Sequence, residues 1–166
     1  MNLVILGDTH IPGRARDLAP EVWTAVGGAD VVIHTGDWTA VALLDQIQPR
    51  CERLVAVFGN NDDSELQARL PEVARVELTG LHFVVVHDTG PSSGRPNRCR
   101  RRYPDADVVV FGHSHVPWDT TESDGLRLLN PGSPTDRRRQ PAWTFMDAEI
   151  ADGRLVRVRL HQVSPG

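Results

Sequence analysis

The sequence contains no lysine: all eighteen of its basic residues are arginine. We read this as a composition bias of the source and give it no functional weight. Set against 22 acidic residues, the arginines leave a net charge of −4 and a pI near 5.9. No overall basic field therefore exists to hold nucleic acid non-specifically. Two cysteines, Cys51 and Cys99, are too few for a disulfide framework and show no CxxC spacing. No apolar run approaches the ~18 residues of a membrane span. Repeats and low-complexity segments are absent, and no G-x-G-x-x-G follows the first strand-like run, so the dinucleotide fingerprint is missing. The opening MNLVILGDTH carries neither the basic nor the apolar region of a signal peptide, and a cytoplasmic protein is the expectation.

What is present suits one domain spanning residues 1–166, with a core that needs no staples. Hydrophobic residues make up 40% and charged residues 24%, values that exclude a disordered or collagen-like chain. Short Val- and Ile-rich runs recur at Asn2–Leu6, Asp30–Ile33, Arg53–Phe58, Leu81–Val86 and Asp107–Phe111, each closed by Gly, Asp or His. Such runs suit strands buried on both faces. Between the first three lie helical patterns over Pro20–Val26 and Thr39–Ile47. Ser64–Leu70 reads as a third helix capped by Asp63 or Ser64. The alternation predicts βαβ units and a largely parallel sheet. Val73–Leu78 and Leu81–His87 flank Thr79-Gly80 as a hairpin. Leu126–Leu129, Ala142–Met146 and Leu155–Leu160 read as antiparallel strands. Arg95–Arg102 reads as a helix with a solvated basic face, and Arg137–Arg139 as a loop.

Chemistry concentrates at the strand ends, where ligands bind in sheets of this type. Asp8 and His10 are two residues apart, as are His113 and His115, a spacing that puts both side chains on one face of an extended chain. Asp37, Asn60 and His87 each follow another strand. Gly7, Gly36, Gly59 and Gly112 lie close by, where tight turns are expected. Any one of the seven polar groups would ordinarily be a turn former or a packed histidine. Seven together, at five consecutive strand ends, point to metal. Two carboxylates, one amide oxygen and four imidazoles suit two divalent ions if one carboxylate is shared. Nitrogen and oxygen ligation without thiolate favours borderline divalent ions such as manganese, iron, cobalt or zinc over calcium; manganese is the foremost expectation, with nickel a further alternative. Such a pair can hold a phosphoryl group and make a bridging water nucleophilic near neutral pH.

At these residues the chain resembles the calcineurin-like metallophosphoesterases. The matching motifs are Asp8-x-His10, Gly36-Asp37, Gly59-Asn60-x-Asp62, the lone His87, and Gly112-His113-x-His115. Asn130-Pro131-Gly132-Ser133 looks like the small bacterial and archaeal phosphodiesterase branch. The resemblance implies an α/β fold, a four-layer αββα sandwich of two mixed sheets flanked by helices. It implies that Asp8, His10 and His115 hold one ion, that Asn60, His87 and His113 hold the other, and that Asp37 bridges them. The implied reaction is hydrolysis of a small phosphodiester or phosphomonoester, with Asn60, His113 and Asp37 at the reacting centre. Two departures stand out. Asn61 replaces a histidine common in the family, and His87-Asp88-Thr89 replaces His-Gly-His. Asp88 either orients a ligand or repels an anion.

His34, His82 and His161 are expected to be structural, and Trp38 is either a pocket wall or core. Asn130–Ser133 is either a plain turn or a loop beside the metals from which Arg137 reaches phosphate. Two rivals to the phosphoesterase remain. One is a non-catalytic interaction scaffold on the same fold, as in the retromer subunit. The other is a nuclease using Arg95–Arg102, against which the net charge argues. No membrane partner is expected, and a homo-oligomer is left open.

Overall fold

The computed structural model describes residues 1–164. Ten strands and four α-helices follow in chain order: β1 (Asn2–Leu6), α1 (Pro20–Gly27), β2 (Val31–His34), α2 (Val41–Ile47), β3 (Arg53–Ala56), α3 (Ser64–Arg69), β4 (Val73–Leu78), β5 (Leu81–Val86), α4 (Arg95–Arg102), β6 (Val108–Val110), β7 (Trp118–Thr121), β8 (Arg127–Asn130), β9 (Trp143–Ala151) and β10 (Arg154–Val163). The first sheet runs β10-β9-β1-β2-β3 and the second β4-β5-β6-β8-β7. Each has three parallel strands, β1-β2-β3 in one and β5-β6-β8 in the other, with antiparallel strands added outside them.

Alternation along the strands explains the layering. In β1, Val4 and Leu6 point outward to pack with Val22 and Val26 of α1 and Leu43 and Ile47 of α2. Leu3 and Ile5 point inward and meet Phe83, Val85, Val108 and Val110 of the second sheet. On that sheet's far side, Val84, Val86, Val109 and Leu128 pack on Cys99 and Tyr103, at the end of α4. Three apolar seams thus separate four layers, helix–sheet–sheet–helix, as the resemblance implied. With period-two side chains, a strand sandwiched between layers must be apolar on both faces.

The parallel pairing expected from the strand–helix alternation holds for β1, β2 and β3, to which β9 and β10 add antiparallel strands on the β1 side. Leu126–Leu129 is corrected: the observed β8 runs parallel to β6 and antiparallel to β7. Strand β7 escaped notice because Trp-Asp-Thr-Thr has only one strongly apolar residue and sits half-exposed at the sheet edge. Asp63, rather than Ser64, caps α3, its Oδ1 accepting from Leu66 N at 3.0 Å. No helix among the described residues is long and apolar enough to cross a membrane.

Candidate metal centre

Because β1, β2 and β3 are parallel neighbours and β5, β6 and β8 are likewise parallel, their carboxyl ends carry successive loops to shared edges. The loops are stitched together by backbone bonds: Asp8 N to Gly36 O (3.0 Å), His10 N to Asp37 O (2.9 Å) and Gly112 N to His87 O (2.9 Å). All seven residues singled out in the sequence converge there. His10 Nε2 lies 3.2 Å from His115 Nε2 and 3.5 Å from Asp37 Oδ2. His115 Nε2 is 3.5 Å from Asp8 Oδ1. On the other side, Asn60 Oδ1 is 2.9 Å from both His87 Nε2 and His113 Nδ1, and His87 Nε2 is 3.4 Å from Asp37 Oδ1. Asp37 therefore touches both groups.

The route to this geometry differs from the extended spacing expected of Asp8-x-His10 and His113-x-His115. Asp8, His10, Asp37, His113 and His115 all have positive φ, between 45° and 66°. Left-handed backbone costs a non-glycine residue about 1–2 kcal/mol, so strain is stored in five of the seven candidate residues themselves. The neighbouring glycines serve another purpose than expected. Of the four, only Gly36 has a positive φ. A Cβ on Gly59 would lie 2.2 Å from Asp37 Oδ1, and one on Gly7 would lie 1.9 Å from Thr35 Oγ1. They are glycines because another segment passes too close for a side chain.

The donor set fits divalent cations. A carbonyl can only accept, so His87 Nδ1 must carry the hydrogen donated to Thr35 O (2.8 Å), and His115 Nδ1 the one donated to Asp136 O (2.5 Å). Both Nε2 atoms are then lone pairs aimed at the centre, the orientation a metal-binding imidazole takes. In the neutral ring, His87 Nε2 faces two acceptors, Asn60 Oδ1 (2.9 Å) and Asp37 Oδ1 (3.4 Å), together with His113 Nδ1 (3.3 Å), an arrangement a cation in the middle would satisfy. Asp8 Oδ2 is buried and has no hydrogen-bond partner among the described residues. Burial, followed by the charge of Asp37, pushes the Asp8 carboxyl well above its usual range. Burial lowers His10 and His87, and takes His115 down to about 4. Two buried carboxylates in contact with neutral imidazoles are costly without a cation and favourable with one.

Residues outside the seven hold the loops in place. Asp62 was noted only as part of a motif, yet its carboxylate accepts from Asp37 N (3.0 Å), Gly59 N (2.7 Å) and Thr39 N (2.7 Å). Asn130 and Ser133 support the reading of a loop beside the centre: Asn130 Nδ2 donates to Gly112 O, and Ser133 Oγ donates to Asp8 O at 2.7 Å. Arg137, however, does not reach the centre. Its Nη1 donates to Gln140 O and its guanidinium lies over Trp143, 5.0 Å from the ring centroid. Thr35 and Asp136 act through carbonyls, which side-chain reasoning has no means to find.

His34 is a buried supporting residue, as expected. Its Nδ1 accepts from Gly36 N and its Nε2 faces Thr9 Oγ1, while its ring stacks on Trp38 at 3.4 Å. Trp38 is core rather than pocket wall, fully buried with Nε1 donating to Val57 O. Asp88 builds its own loop by accepting from Gly90 N. His82 and His161 pair with Asp107 and Asp147 away from the centre.

The domain profile described as calcineurin-like phosphoesterase superfamily matches residues 1–153. The chain belongs to that superfamily. It is 33% identical over 153 residues to a probable metallophosphoesterase of Methanocaldococcus jannaschii, covering 92% of this chain and 77% of the relative. A phosphodiesterase of the same organism is 24% identical, covering 80% and 83%. Among solved structures, Vps29 of Entamoeba histolytica complexed with zinc aligns with a TM-score of 0.80 over 98% of both chains, at 22% identity. That last likeness concerns the fold.

Proposed function

We propose that this superfamily member is a metal-dependent phosphoesterase acting on phosphodiesters, and on phosphomonoesters as further substrates. The observation that carries the reading is the convergence of possible ligand atoms from Asp8, His10, Asp37, Asn60, His87, His113 and His115, with His10 Nε2 3.2 Å from His115 Nε2 and Asn60 Oδ1 2.9 Å from both His87 Nε2 and His113 Nδ1. Asp8, His10 and His115 would hold one divalent ion, Asn60, His87 and His113 a second, with Asp37 shared. When bound, such ions polarise phosphoryl oxygens and lower the pKa of water to near 7. We take manganese as the foremost candidate, with iron, zinc, cobalt and nickel also compatible with a mixed imidazole and carboxylate donor set.

The chain's own residues shape what can react. Asn60 and His113 are the more exposed members of the set, so an ester arriving from solvent meets them first. Asn61 stands where many relatives carry a histidine, and both of its donors are engaged by Asp37: N to Oδ1 at 2.9 Å and Nδ2 to Oδ2 at 2.7 Å. An amide has no labile proton near neutral pH, and this one is turned toward the carboxylate. The leaving oxygen must therefore depart without a proton from this position. Esters whose leaving groups are stable anions are favoured. Nitrophenyl phosphodiesters should turn over with added manganese, stop with chelator, and outrun simple alkyl esters. Asn61→His should narrow that gap. Equal rates on both ester types, or turnover untouched by chelator, would overturn the reading.

The likeness to zinc-complexed Vps29 supports a second reading, a non-catalytic partner-binding protein on the same fold. Metal content near two per chain with no turnover across a phosphoester panel would favour it.

A further inference from the structure

Arg95 opens α4, the helix whose sequence predicts a solvated basic face, yet it is only 6% exposed. Its guanidinium carbon lies 4.6 Å from the centroid of the Phe111 ring and 4.7 Å from that of Trp118. It pairs with no carboxylate among the described residues. Instead its Nε donates to Thr89 Oγ1 at 2.9 Å and its Nη2 to Gly90 O at 3.2 Å. A cation taken out of water without a counter-ion is costly. An apolar side chain could rest on the same two rings without that cost, so packing alone does not account for arginine here.

The contacts lead to one side of the centre. Thr89 and Gly90 follow His87 by two and three residues. Phe111 runs directly into Gly112 and His113, and Gly112 N donates to His87 O at 2.9 Å. Arg98 reinforces the same loop by donating from Nε to Thr89 O at 2.6 Å. The Asp8–His10–His115 side is tied elsewhere, by Ser133 and Asp136.

We propose that Arg95 is a positioning residue for the Asn60–His87–His113 side of the centre, its fork tying the loop after His87 to the strand end that delivers His113. Arginine suits the task because one planar group can lie on aromatic faces while donating in two directions, which the compact ammonium of lysine does not do. Arg95 acts through the backbone that the two histidines share with Thr89 and Phe111. The inference rests on the metal-binding reading above and adds to it the element that fixes the spacing of two ligands.

The test is calorimetric titration of the metal-stripped protein with manganese and, separately, with zinc, for wild type, Arg95→Met, Arg95→Lys and Thr89→Val. Losing an outer partner of metal ligands weakens binding by about 10–100-fold. A loss at the lower end of that range is expected for methionine and lysine, confined to one of two binding phases. Thr89→Val keeps Arg95 in place and guards against an Arg95 variant that fails to fold; the same phase should weaken by less. Nitrogen-15 spectra of the stripped Arg95→Met protein should show the ring signals of His87 and His113 displaced and those of His10 and His115 unmoved. Unchanged affinity in all three variants would overturn the role of Arg95 and leave the metal centre standing. Equal weakening of both phases, with all four rings displaced, would assign the effect to general packing and overturn it too. Absence of binding in wild type would overturn the metal-binding reading itself.

Discussion

The two halves of the centre meet water differently. Asp8, His10 and His115 are at 0%, 7% and 1% exposure, whereas Asn60 is exposed and His113 half-buried, with only His87 of that group enclosed. The closed half is tied from below by Ser133 on the Asp8 carbonyl and Asp136 on the His115 ring, and it takes most of the desolvation. The side chains of the open half are held more loosely, chiefly by His87 on Thr35. Under the proposed function, the first half would keep a cation and the second would let an ester approach one. Burial raises the cost of each charge left uncompensated, so affinity for a cation and exposure to solvent trade against each other.

Breaking the junction between the halves should have the largest effect. Asp37→Ala removes the carboxylate that touches both, and turnover should fall by more than the ~100-fold cost of losing an outer partner, with metal occupancy lost in elemental analysis. Wild-type activity in that variant would contradict the shared role.

The closed half can be separated from the open one by melting. Asp8 is disfavoured in its charged form by burial and by Asp37, so Asp8→Asn should raise the melting temperature of the metal-stripped protein at neutral pH. A gain of about 2–4 °C corresponds to ~1 kcal/mol in a chain of this size. The same change should abolish the further rise that manganese gives wild type. Asn60→Ala should leave the stripped protein's melting temperature nearly unchanged and lower turnover.

The pH dependence sharpens the contrast. His115 falls from 6.5 to about 4 in the folded protein, so between those values the unfolded chain holds more protons at this residue than the folded one. Its contribution to stability is full above pH 6.5 and is lost as pH drops toward 4. Nitrogen-15 spectra of the stripped protein should show this imidazole neutral at pH 5. A midpoint near 6.5 would mean that the closed half is open to water.

The smallest effect is expected on the exposed face of α4. Arg95 lies between Phe111 and Trp118, Arg98 donates to the carbonyls of Thr89 and Ser93, and Arg100 pairs with Asp124 at 2.6 Å. The basic face read from the sequence is therefore largely occupied within the molecule. The cleft of about 710 Å³ beside it is lined by Glu122 and Asp124 as well as arginines. Arg101→Ala with Arg102→Ala should leave phosphodiester turnover and its salt dependence within about two-fold. A marked change in the salt slope would revive a nucleic-acid substrate.

What sits in residue type was legible from the chain: the seven side chains, the strand ends that carry them and the helices, while the four-layer arrangement followed from the family resemblance. Chemistry that sits in the backbone was not. Thr35 and Asp136 act through carbonyls, which every residue has, and Asp62 acts on three N–H groups that come together only when the loops after β2 and β3 meet. Arg137 was open between two readings because a guanidinium near the right loop can turn either way, and here it turns to Gln140 and Trp143.

Sequence alone determined which atoms are available to a cation, because donor type and strand-end placement are local properties. Only the tertiary structure decided which half faces water, why Gly7, Gly59 and Gly112 must be small, and that five of the seven candidate residues themselves take the left-handed backbone. Those properties depend on how closely segments far apart in the chain approach one another, and no local pattern encodes that distance.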